Sequence, residues 1–337
     1  MANAVMACMR NEAMFVSEWV AYHLAIGFDQ VFVCTNNCTD GTDAILDHLA
    51  RLAPVYHIRN DDLGGLAPQR AGVLKVLAHP ALAAAEWLLH IDADEFLNIH
   101  HGNGQVSDLL AHIDGFDAAA FTWRLFGDSH ITAWEGGLVT ERQTLCEARQ
   151  YDFSAMHKTM FRPEMFASGI DHMPKDPRSP QVSLCNARGR ELNPRALHDP
   201  RSSDHRMAFG QEINRRRHFG WEGAVINHYA VRTQDLFLLK NVRGDGIGSS
   251  FTNRYHLHSR WHRAANRNEV QDISIQRHLG PVREILRDFR RNRSVIAAEL
   301  AAEEAVARMR ARYLTPQNMA QWTNWAGAQR LALKQIA

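Results

Sequence analysis

The chain has 337 residues, 45% of them hydrophobic and 22% charged, with a formal net charge of +1. This composition is typical of an ordinary globular protein and excludes wholesale disorder. The balanced charge provides no general attraction to nucleic acid or to acidic membranes, so we expect no nucleic-acid partner.

Targeting and redox signals are sparse. The first ten residues lack the basic region of a signal peptide. Uninterrupted apolar stretches all fall short of the roughly 18 residues that a membrane span needs. Five cysteines form an odd set that is too sparse for a disulfide scaffold, which indicates a reducing compartment. We therefore predict a cytoplasmic protein, and any membrane contact is expected to be peripheral, at the inner face of the membrane.

Strand and helix patterns alternate along the first 80 residues. Short apolar runs predict strands at 4–9, 31–34 and 55–58. Apolar residues at helical spacing predict helices at 15–26, 43–52 and 68–79. Alternation at this spacing predicts an α/β fold, with a mostly parallel central sheet, flanking helices and right-handed crossovers.

An acidic stretch at 87–96 follows, with the sequence Trp-Leu-Leu-His-Ile-Asp-Ala-Asp-Glu-Phe. Its first half predicts a strand buried on both faces, and ligands of open α/β sheets bind where such strands end. Asp92, Asp94 and Glu95 would repel one another unless a positive charge lay among them. Because carboxylate oxygens suit Mg²⁺ and Mn²⁺, a divalent cation is the simplest source of that charge.

The rest of the chain divides into three parts. Further strands are predicted at 118–126 and 157–162, and the region from 171 to 217 is irregular and rich in Pro, Arg, His and Ser. Apolar residues recur at helical spacing over 281–313. Between Arg277 and Tyr313 there are nine arginines and five acidic residues. The helical part is predicted to pack on the rest of the chain or on another subunit, or to dock its basic face on anionic lipid.

Three motifs carry a resemblance to a known family. They are Met-Arg-Asn-Glu-Ala-Met-Phe-Val-Ser-Glu-Trp-Val-Ala-Tyr-His-Leu-Ala-Ile-Gly-Phe at 9–28, Asn-Cys-Thr-Asp-Gly-Thr at 37–42, and His-Ile-Asp-Ala-Asp-Glu-Phe at 90–96. Together they resemble the family 2-like glycosyltransferases with the GT-A fold, and within these the subgroup related to glycosyltransferase family 92. A late segment, 226–244, is similar to the stretch that closes the catalytic region of that subgroup. The resemblance implies a GT-A (Rossmann-like) catalytic domain over 1–248 and a mainly helical extension over 249–337.

The same resemblance implies a function. It predicts metal-dependent transfer of a sugar from a nucleoside-diphosphate sugar, with UDP as the default nucleotide, to a glycan or glycolipid acceptor with inversion. Mn²⁺ or Mg²⁺ would be held by Asp92, Asp94 and His228, although His228 could equally be a core histidine with satisfied hydrogen bonds. The residues that the resemblance assigns to the donor are Arg10, Asn11, Glu12, Asn37, Asp40, Gln69, Arg70, Asp92, Lys240 and Arg243.

The acceptor side is less defined. The irregular composition predicts an acceptor-side excursion at about 165–222. The resemblance adds Trp123, Asp128 and His130 as acceptor contacts, although Trp123 could instead belong to the core. An inverting transfer needs a carboxylate as general base. The sequence leaves four candidates open, namely Asp128, Asp171, Asp204 and Glu222.

Two other functions compete with transfer. A carbohydrate-binding protein could retain a decayed transferase fold, although the acids, the turn motif and the late segment are all present here. Phosphatases of the haloacid dehalogenase type also carry Asp-x-Asp after an apolar strand. In those enzymes a Thr or Val usually stands where this chain has Phe96.

Overall fold

The computed structural model describes residues 2–151, 153–199, 220–243 and 255–323. The strands are β1 (Ala2–Met9), β2 (Gln30–Thr35), β3 (Val55–Arg59), β4 (Ala85–His90), β5 (Glu95–Ile99), β6 (Ala118–Leu125), β7 (Leu145–Cys146), β8 (His157–Phe161), β9 (Phe166–Gly169), β10 (Pro174–Pro177), β11 (Leu184–Asn186), β12 (Glu191–Leu192), β13 (Ala224–His228) and β14 (Val270–Gln271). The α-helices are α1 (Val16–Ala25), α2 (Thr42–Leu49), α3 (Pro68–Leu77), α4 (Val106–Ile113), α5 (Val139–Arg142), α6 (Arg195–His198), α7 (Gln234–Arg243), α8 (Arg260–Ala265), α9 (Leu279–Phe289), α10 (Arg293–Tyr313) and α11 (Pro316–Thr323).

A central mixed sheet organises these elements. Its strand order is β12-β11-β6-β8-β4-β1-β2-β3. Strands β4, β1, β2 and β3 are parallel, whereas β8 runs antiparallel to both of its neighbours, β4 and β6. Strand β13 lies parallel to β6 and antiparallel to β5. The predicted α/β class, with a mostly parallel central sheet and flanking helices, is confirmed.

The sheet is buried on both faces. Along β1, Val5 and Ala7 belong to one hydrophobic core and Ala4 and Met6 to another, as expected when successive side chains point to opposite faces of a strand. Helices α1 and α2 supply the first core and α3 supplies the second. Burial on both faces explains why the strands read as continuous apolar runs rather than as alternating patterns.

Helix α3 lies unusually close to the sheet. A side-chain carbon at Gly72 would collide with the Cys8 thiol and would lie 3.3 Å from Cβ of Cys34. Glycine therefore allows the helix to approach β1 and β2. This approach brings Gln69, at the start of α3, within hydrogen-bond reach of the end of β4.

The acidic stretch is not one continuous element. Strand β4 ends at His90, a turn follows, and Glu95 begins β5, which leaves the central strands to pair with β13. The turn is closed by a bond from the Glu95 amide to the Asp92 carbonyl at 3.1 Å and one from the Asp92 amide to the Glu95 carboxylate at 2.8 Å. Asp92 and Asp94 thus lie on a turn, while Glu95 is drawn into the buried sheet.

The C-terminal helices form an outer layer. Helix α9 packs against α1, and α10 packs against α2 and α7. The single helical stretch predicted over 281–313 is divided between α9 and α10, because Asn292 caps the second helix by accepting a bond from the Ser294 amide. The predicted domain boundary at 248, and residues 200–219 of the predicted excursion, lie outside the described residues. Within the ranges that the structure describes, no helix combines the length and apolar character needed to cross a bilayer.

Candidate active site

The acidic turn after β4 lies at the carboxyl ends of the parallel strands. Strands β1 and β2 are parallel neighbours and end at the same edge, so the polar residues of the loops that follow them, at 10–12 and 36–40, lie at neighbouring positions. Open α/β sheets bind their ligands at such an edge. The side chains of Asp92 and Asp94 remain partly exposed there, at 31% and 15%, whereas that of Glu95 is fully buried.

Asp92 is held in a buried cluster with Lys158. The Lys158 ammonium, which is fully buried on β8, lies 2.8 Å from Asp92 Oδ2 and 3.4 Å from Glu95 Oε2. Gln69 donates to Asp92 Oδ1 at 2.9 Å. Burial alone would raise the pKa of Asp92, but the Lys158 charge lowers it below its ordinary value. Burial raises the pKa of Glu95 to about 7 against the opposing effect of Lys158.

Asp94 has a different set of partners. Its Oδ2 lies 3.1 Å from the Lys240 ammonium of α7, and its Oδ1 lies 3.5 Å from Nε2 of His228 at the end of β13. The Tyr229 amide fixes the Asp94 carbonyl at 2.8 Å. Burial opposes ionisation of Asp94, but Lys240 and His228 hold its pKa well below the usual range. Two lysines therefore supply much of the positive charge that the sequence argument assigned to a cation.

The structure brings two of the three predicted metal ligands together. Asp94 Oδ1 and His228 Nε2 face each other, while both carboxylate oxygens of Asp92 are bonded to Lys158 and Gln69. Among the described residues, no group of three or more His, Cys, Asp or Glu side chains is arranged to hold a metal ion. A carboxylate oxygen with an imidazole nitrogen suits Mn²⁺, and substrate phosphates often complete such a site. The pair therefore fits a cation that binds together with an anionic ligand.

His228 does not have the satisfied hydrogen bonds of an ordinary core histidine. Its Nδ1 is buried without a hydrogen-bond partner, and its ring packs against Trp123 with centroids 4.4 Å apart. Trp123 is only 6% exposed and also contacts His172, with ring centroids 5.6 Å apart. Trp123 thus belongs to the core by burial, but its ring lies directly against the candidate ligand His228.

The predicted donor loops are tied to each other by their acidic residues. Asp40 accepts a bond from the Ala13 amide at 2.9 Å, and Asn11 accepts one from the Thr39 amide at 2.7 Å. Glu12 forms a buried ion pair with Arg232 at 2.7 Å. The first two contacts fix the loops after β1 and β2 against each other, whereas the Glu12 pair ties the loop after β1 to the segment after β13. Asp40 and Glu12 therefore both have a role in loop geometry.

Three donor candidates converge on one small cavity beside the acidic turn. Asn11, Asp40 and Lys240 line it, together with Arg232 and with Val306 and Met309 of α10. Helix α10 is anchored at this place by an ion pair of Arg310 with Asp235 at 2.7 Å. The helical extension therefore forms one wall of the candidate donor site.

The other donor candidates are dispersed. Gln69 bridges Asp92 and His90. Arg10 is half-buried, and Asn37 and Arg70 are exposed. Arg243 is the last residue of α7, and its side chain lies outside the described part of the chain.

The general-base candidates differ in their surroundings. Asp128 is 2% exposed, and its carboxylate accepts bonds from the His130 amide and from the side chains of Asn266 and Asn268. Glu222 is 70% exposed and pairs with Arg188. Asp171 is 38% exposed and lies beside His172, while Asp204 lies outside the described residues. His130 is exposed and has a positive φ of 62°.

The sequence did not indicate that two buried cations, Lys158 and Arg232, pair with the acids of the site. Lys158 lies at the centre of β8, whose five residues are all buried, and Arg232 is 3% exposed. A lysine inside a strand with an otherwise apolar pattern is the signal that could have identified Lys158, because buried ammonium groups are almost always paired with acids. Arg232 gave no such signal, since it stands in a segment where apolar and polar residues are interspersed.

Curated relatives were found in three plants. A glycosyltransferase family 92 protein of Oryza sativa subsp. japonica is 34% identical over 114 residues, covering 32% of this chain and 18% of that protein. One of Ricinus communis is 28% identical over 168 residues, covering 46% and 27%. One of Arabidopsis thaliana is 26% identical over 173 residues, covering 48% and 28%. The predicted resemblance to family 92 is confirmed. No family model matches the chain, which spans less than a third of the length of these relatives.

Two solved structures align with about half of the chain. The first part of Staphylococcus aureus TarS, solved in complex with UDP, aligns over 49% of this chain and 48% of that chain, with a TM-score of 0.33 and 16% identity. Glucosyl-3-phosphoglycerate synthase of Mycobacterium tuberculosis, solved with phosphoglyceric acid, aligns over 50% and 61%, with a TM-score of 0.26 and 17% identity. Because these scores are low, the fold class rests on the sheet described above.

Proposed function

We propose that this chain transfers a sugar from a nucleoside-diphosphate sugar to a glycan or glycolipid acceptor. The observation that carries the proposal is the convergence of Asp94, His228 and Lys240 at the carboxyl edge of the sheet. These residues come from two of the motifs that resemble family 92. A carboxylate, an imidazole and an ammonium at one point can bind a diphosphate together with a cation. UDP remains the default nucleotide on the basis of the resemblance alone.

Different residues of the chain would bind different parts of the donor. Asn11 and Asp40, on the loops after β1 and β2, would face the nucleoside, since they line the same cavity as Lys240. Lys240 would face the diphosphate, because its ammonium lies between Asp94 and the Ala230 carbonyl at 3.1 and 2.7 Å. Asp92 would hold the turn in place through Lys158 and Gln69 rather than bind the cation directly.

The proposed cofactor is Mn²⁺ or Mg²⁺, held by Asp94 and His228. Such a cation would offset the negative charge that grows on the diphosphate as it leaves. Lys240 would add a second positive charge on the same side of the leaving group. Trp123 packs behind His228 and so keeps the imidazole facing Asp94.

The first experiment is a stability screen followed by a turnover assay. Thermal unfolding is measured with a panel of nucleoside diphosphates and nucleotide sugars, with and without Mn²⁺. A ligand at about a hundred times its dissociation constant adds roughly 2.7 kcal/mol to the free energy of unfolding. We expect one nucleotide to shift the unfolding midpoint in a Mn²⁺-dependent way. The matching nucleotide sugar should then release its nucleoside diphosphate when a glycan acceptor is added. Binding of glycans without binding of any nucleotide would contradict transfer and favour the carbohydrate-binding alternative.

A further inference from the structure

The hairpin of β9 and β10 places a carboxylate beside the acidic turn. The two strands pair antiparallel, with Gly169 opposite Pro174, so the tip of the hairpin consists of residues 170–173. The tip is closed by a bond from the Ile170 amide to the Met173 carbonyl at 2.9 Å. Asp171 stands at this tip, and 38% of its side chain is exposed.

The tip is fixed to the sheet through three consecutive backbone carbonyls. His90, the last residue of β4, bonds the Ile170 carbonyl at 3.1 Å. Lys158 donates to the Asp171 carbonyl at 2.7 Å. Thr159 donates to the His172 carbonyl at 2.9 Å. Two strands of the central sheet therefore determine where the hairpin tip lies.

A fourth bond orients the neighbouring histidine. The Nδ1 atom of His172 lies 2.9 Å from the His157 carbonyl, so the ring is held from β8 as well. Its Nε2 lies 3.4 Å from the Asp171 carboxylate. Burial lowers the pKa of His172, which favours a neutral ring. The Asp171 carboxylate is therefore positioned without a fixed cationic side chain on its own turn.

Lys158 joins this tip to the donor side of the site. One ammonium donates both to Asp92 Oδ2 at 2.8 Å and to the Asp171 carbonyl at 2.7 Å. From the other direction, the Trp123 ring lies between His228 and His172. The hairpin tip that carries Asp171 is thus linked to Asp92 through Lys158, and to His228 through His172 and Trp123.

We infer that Asp171 is the general base of the transfer reaction and that Lys158 is its positioning residue. This inference rests on the proposed function. The Asp171 carboxylate takes the proton of the acceptor hydroxyl as its oxygen forms a bond to the anomeric carbon. The bond from that carbon to the diphosphate oxygen breaks, and its electron pair leaves with the nucleoside diphosphate. Atoms and charge balance without a further reactant.

The other described candidates are less suited to this role. The Asp128 carboxylate is buried, and its oxygens are occupied by donors from three residues. Glu222 is 70% exposed and paired with an arginine, so no packing directs it into the site. Asp171 combines partial exposure with a backbone held by the sheet, which is the combination that a general base needs.

The test compares carboxylate-to-amide variants in an assay of nucleotide sugar turnover. We expect Asp171→Asn to bind UDP and Mn²⁺ as the wild type does. Its release of the nucleoside diphosphate during turnover should be at least about 100-fold slower. Asp171→Glu should recover part of that rate. Glu164→Gln, which changes an exposed carboxylate just before the same hairpin, should match the wild type. Lost nucleotide binding in Asp171→Asn, or turnover within twofold of the wild type, would overturn the inference.

A second readout separates catalysis from structure. Azide is an anionic nucleophile at neutral pH and has no proton to remove. In Asp171→Ala we expect added azide to restore diphosphate release and to yield a glycosyl azide detectable by mass spectrometry. Turnover that is lost and not restored by azide would assign Asp171 a structural role. If wild-type protein binds no nucleotide at all, the proposed function fails before this inference is reached.

Lys158 is tested by the same turnover assay. Lys158→Arg keeps the positive charge but changes the length and shape of the side chain that bonds the Asp171 carbonyl. We therefore expect unchanged Mn²⁺–UDP affinity and a reduced turnover rate that azide restores. A loss of nucleotide affinity equal to the loss of rate would show that Lys158 acts on the donor side alone.

Discussion

Asp92 and Asp94 stand two residues apart on one turn, yet their surroundings differ. Asp92 is bonded through both oxygens to a fully buried lysine and to Gln69. Asp94 faces His228 and Lys240, both of which approach from the late motif at 226–244. Asp92 is the more exposed of the two, at 31% against 15%, but both of its oxygens are already bonded to protein groups, whereas Asp94 belongs to a set that an incoming ligand can join. The Asp-x-Asp pattern thus combines a structural residue with a binding residue.

The largest expected effect falls on the Asp92 side. Lys158→Met should lower the free energy of unfolding by about 3–5 kcal/mol, because it leaves Asp92 and buried Glu95 without their cation. Urea denaturation measures this change. Lys75→Met is the matched control, since its ammonium bonds only backbone carbonyls at the surface, and it should cost about 1 kcal/mol. Equal losses in the two variants would contradict a structural role for the Lys158 cluster.

The next effect falls on the Asp94 side. Asp94→Asn should weaken Mn²⁺–UDP binding by about 100-fold, equivalent to roughly 2.7 kcal/mol, because the amide cannot serve as an anionic metal ligand. Asp92→Asn should change binding far less and stability more. Calorimetric titration of both variants measures the contrast. If Asp92→Asn loses as much affinity as Asp94→Asn, the two acids share one role.

A further effect concerns pH and the third acid of the turn, Glu95, which lies on the Asp92 side of the site. The folded-state pKa of Glu95 is about 7, above its ordinary value of 4.5. The folded protein therefore binds more protons than the unfolded chain between these values, and the free energy of unfolding should fall as pH rises through this window. Glu95→Gln should flatten that dependence in chelator-treated protein. An unchanged pH profile in the variant would show that Glu95 is ionised in the fold.

The smallest expected effect is that of metal removal. Because Lys158 and Lys240 already lie among the acids, treatment with EDTA should leave the unfolding midpoint of the ligand-free protein unchanged within about 1 °C. Differential scanning calorimetry tests this. A drop of several degrees would mean that a resident cation, rather than the lysines, balances the acidic turn.

Much of the fold could be predicted from local pattern. The strands at 4–9 and 31–34 were identified because a sheet buried on both faces leaves continuous apolar runs. Asp94 and His228 were identified by motif resemblance, and the structure brings them together across more than 130 residues. The break at Asn292 was not predicted, because apolar periodicity continues across it.

The charge balance of the site could not be read from the sequence. Three neighbouring acids indicated that positive charge must be present, and a divalent cation was the simplest source that the sequence offered. Lys158 is 63 residues from Glu95 in the chain and comes near it only because β8 inserts antiparallel beside β4. Contacts of that kind depend on sheet order, which strand patterns do not specify. The same holds for Asp171, whose position depends on the tip of a hairpin.

The most direct test of this account is a titration of Mn²⁺ followed by electron paramagnetic resonance, in which the signal of the free ion disappears on binding. Two protein ligands are too few for tight binding, so we expect weak binding of Mn²⁺ alone and at least about tenfold tighter binding once UDP is present. His228→Ala should abolish that gain, because it removes one of the two ligands. Tight Mn²⁺ binding without nucleotide, or a gain from UDP that survives in His228→Ala, would contradict the proposed donor site.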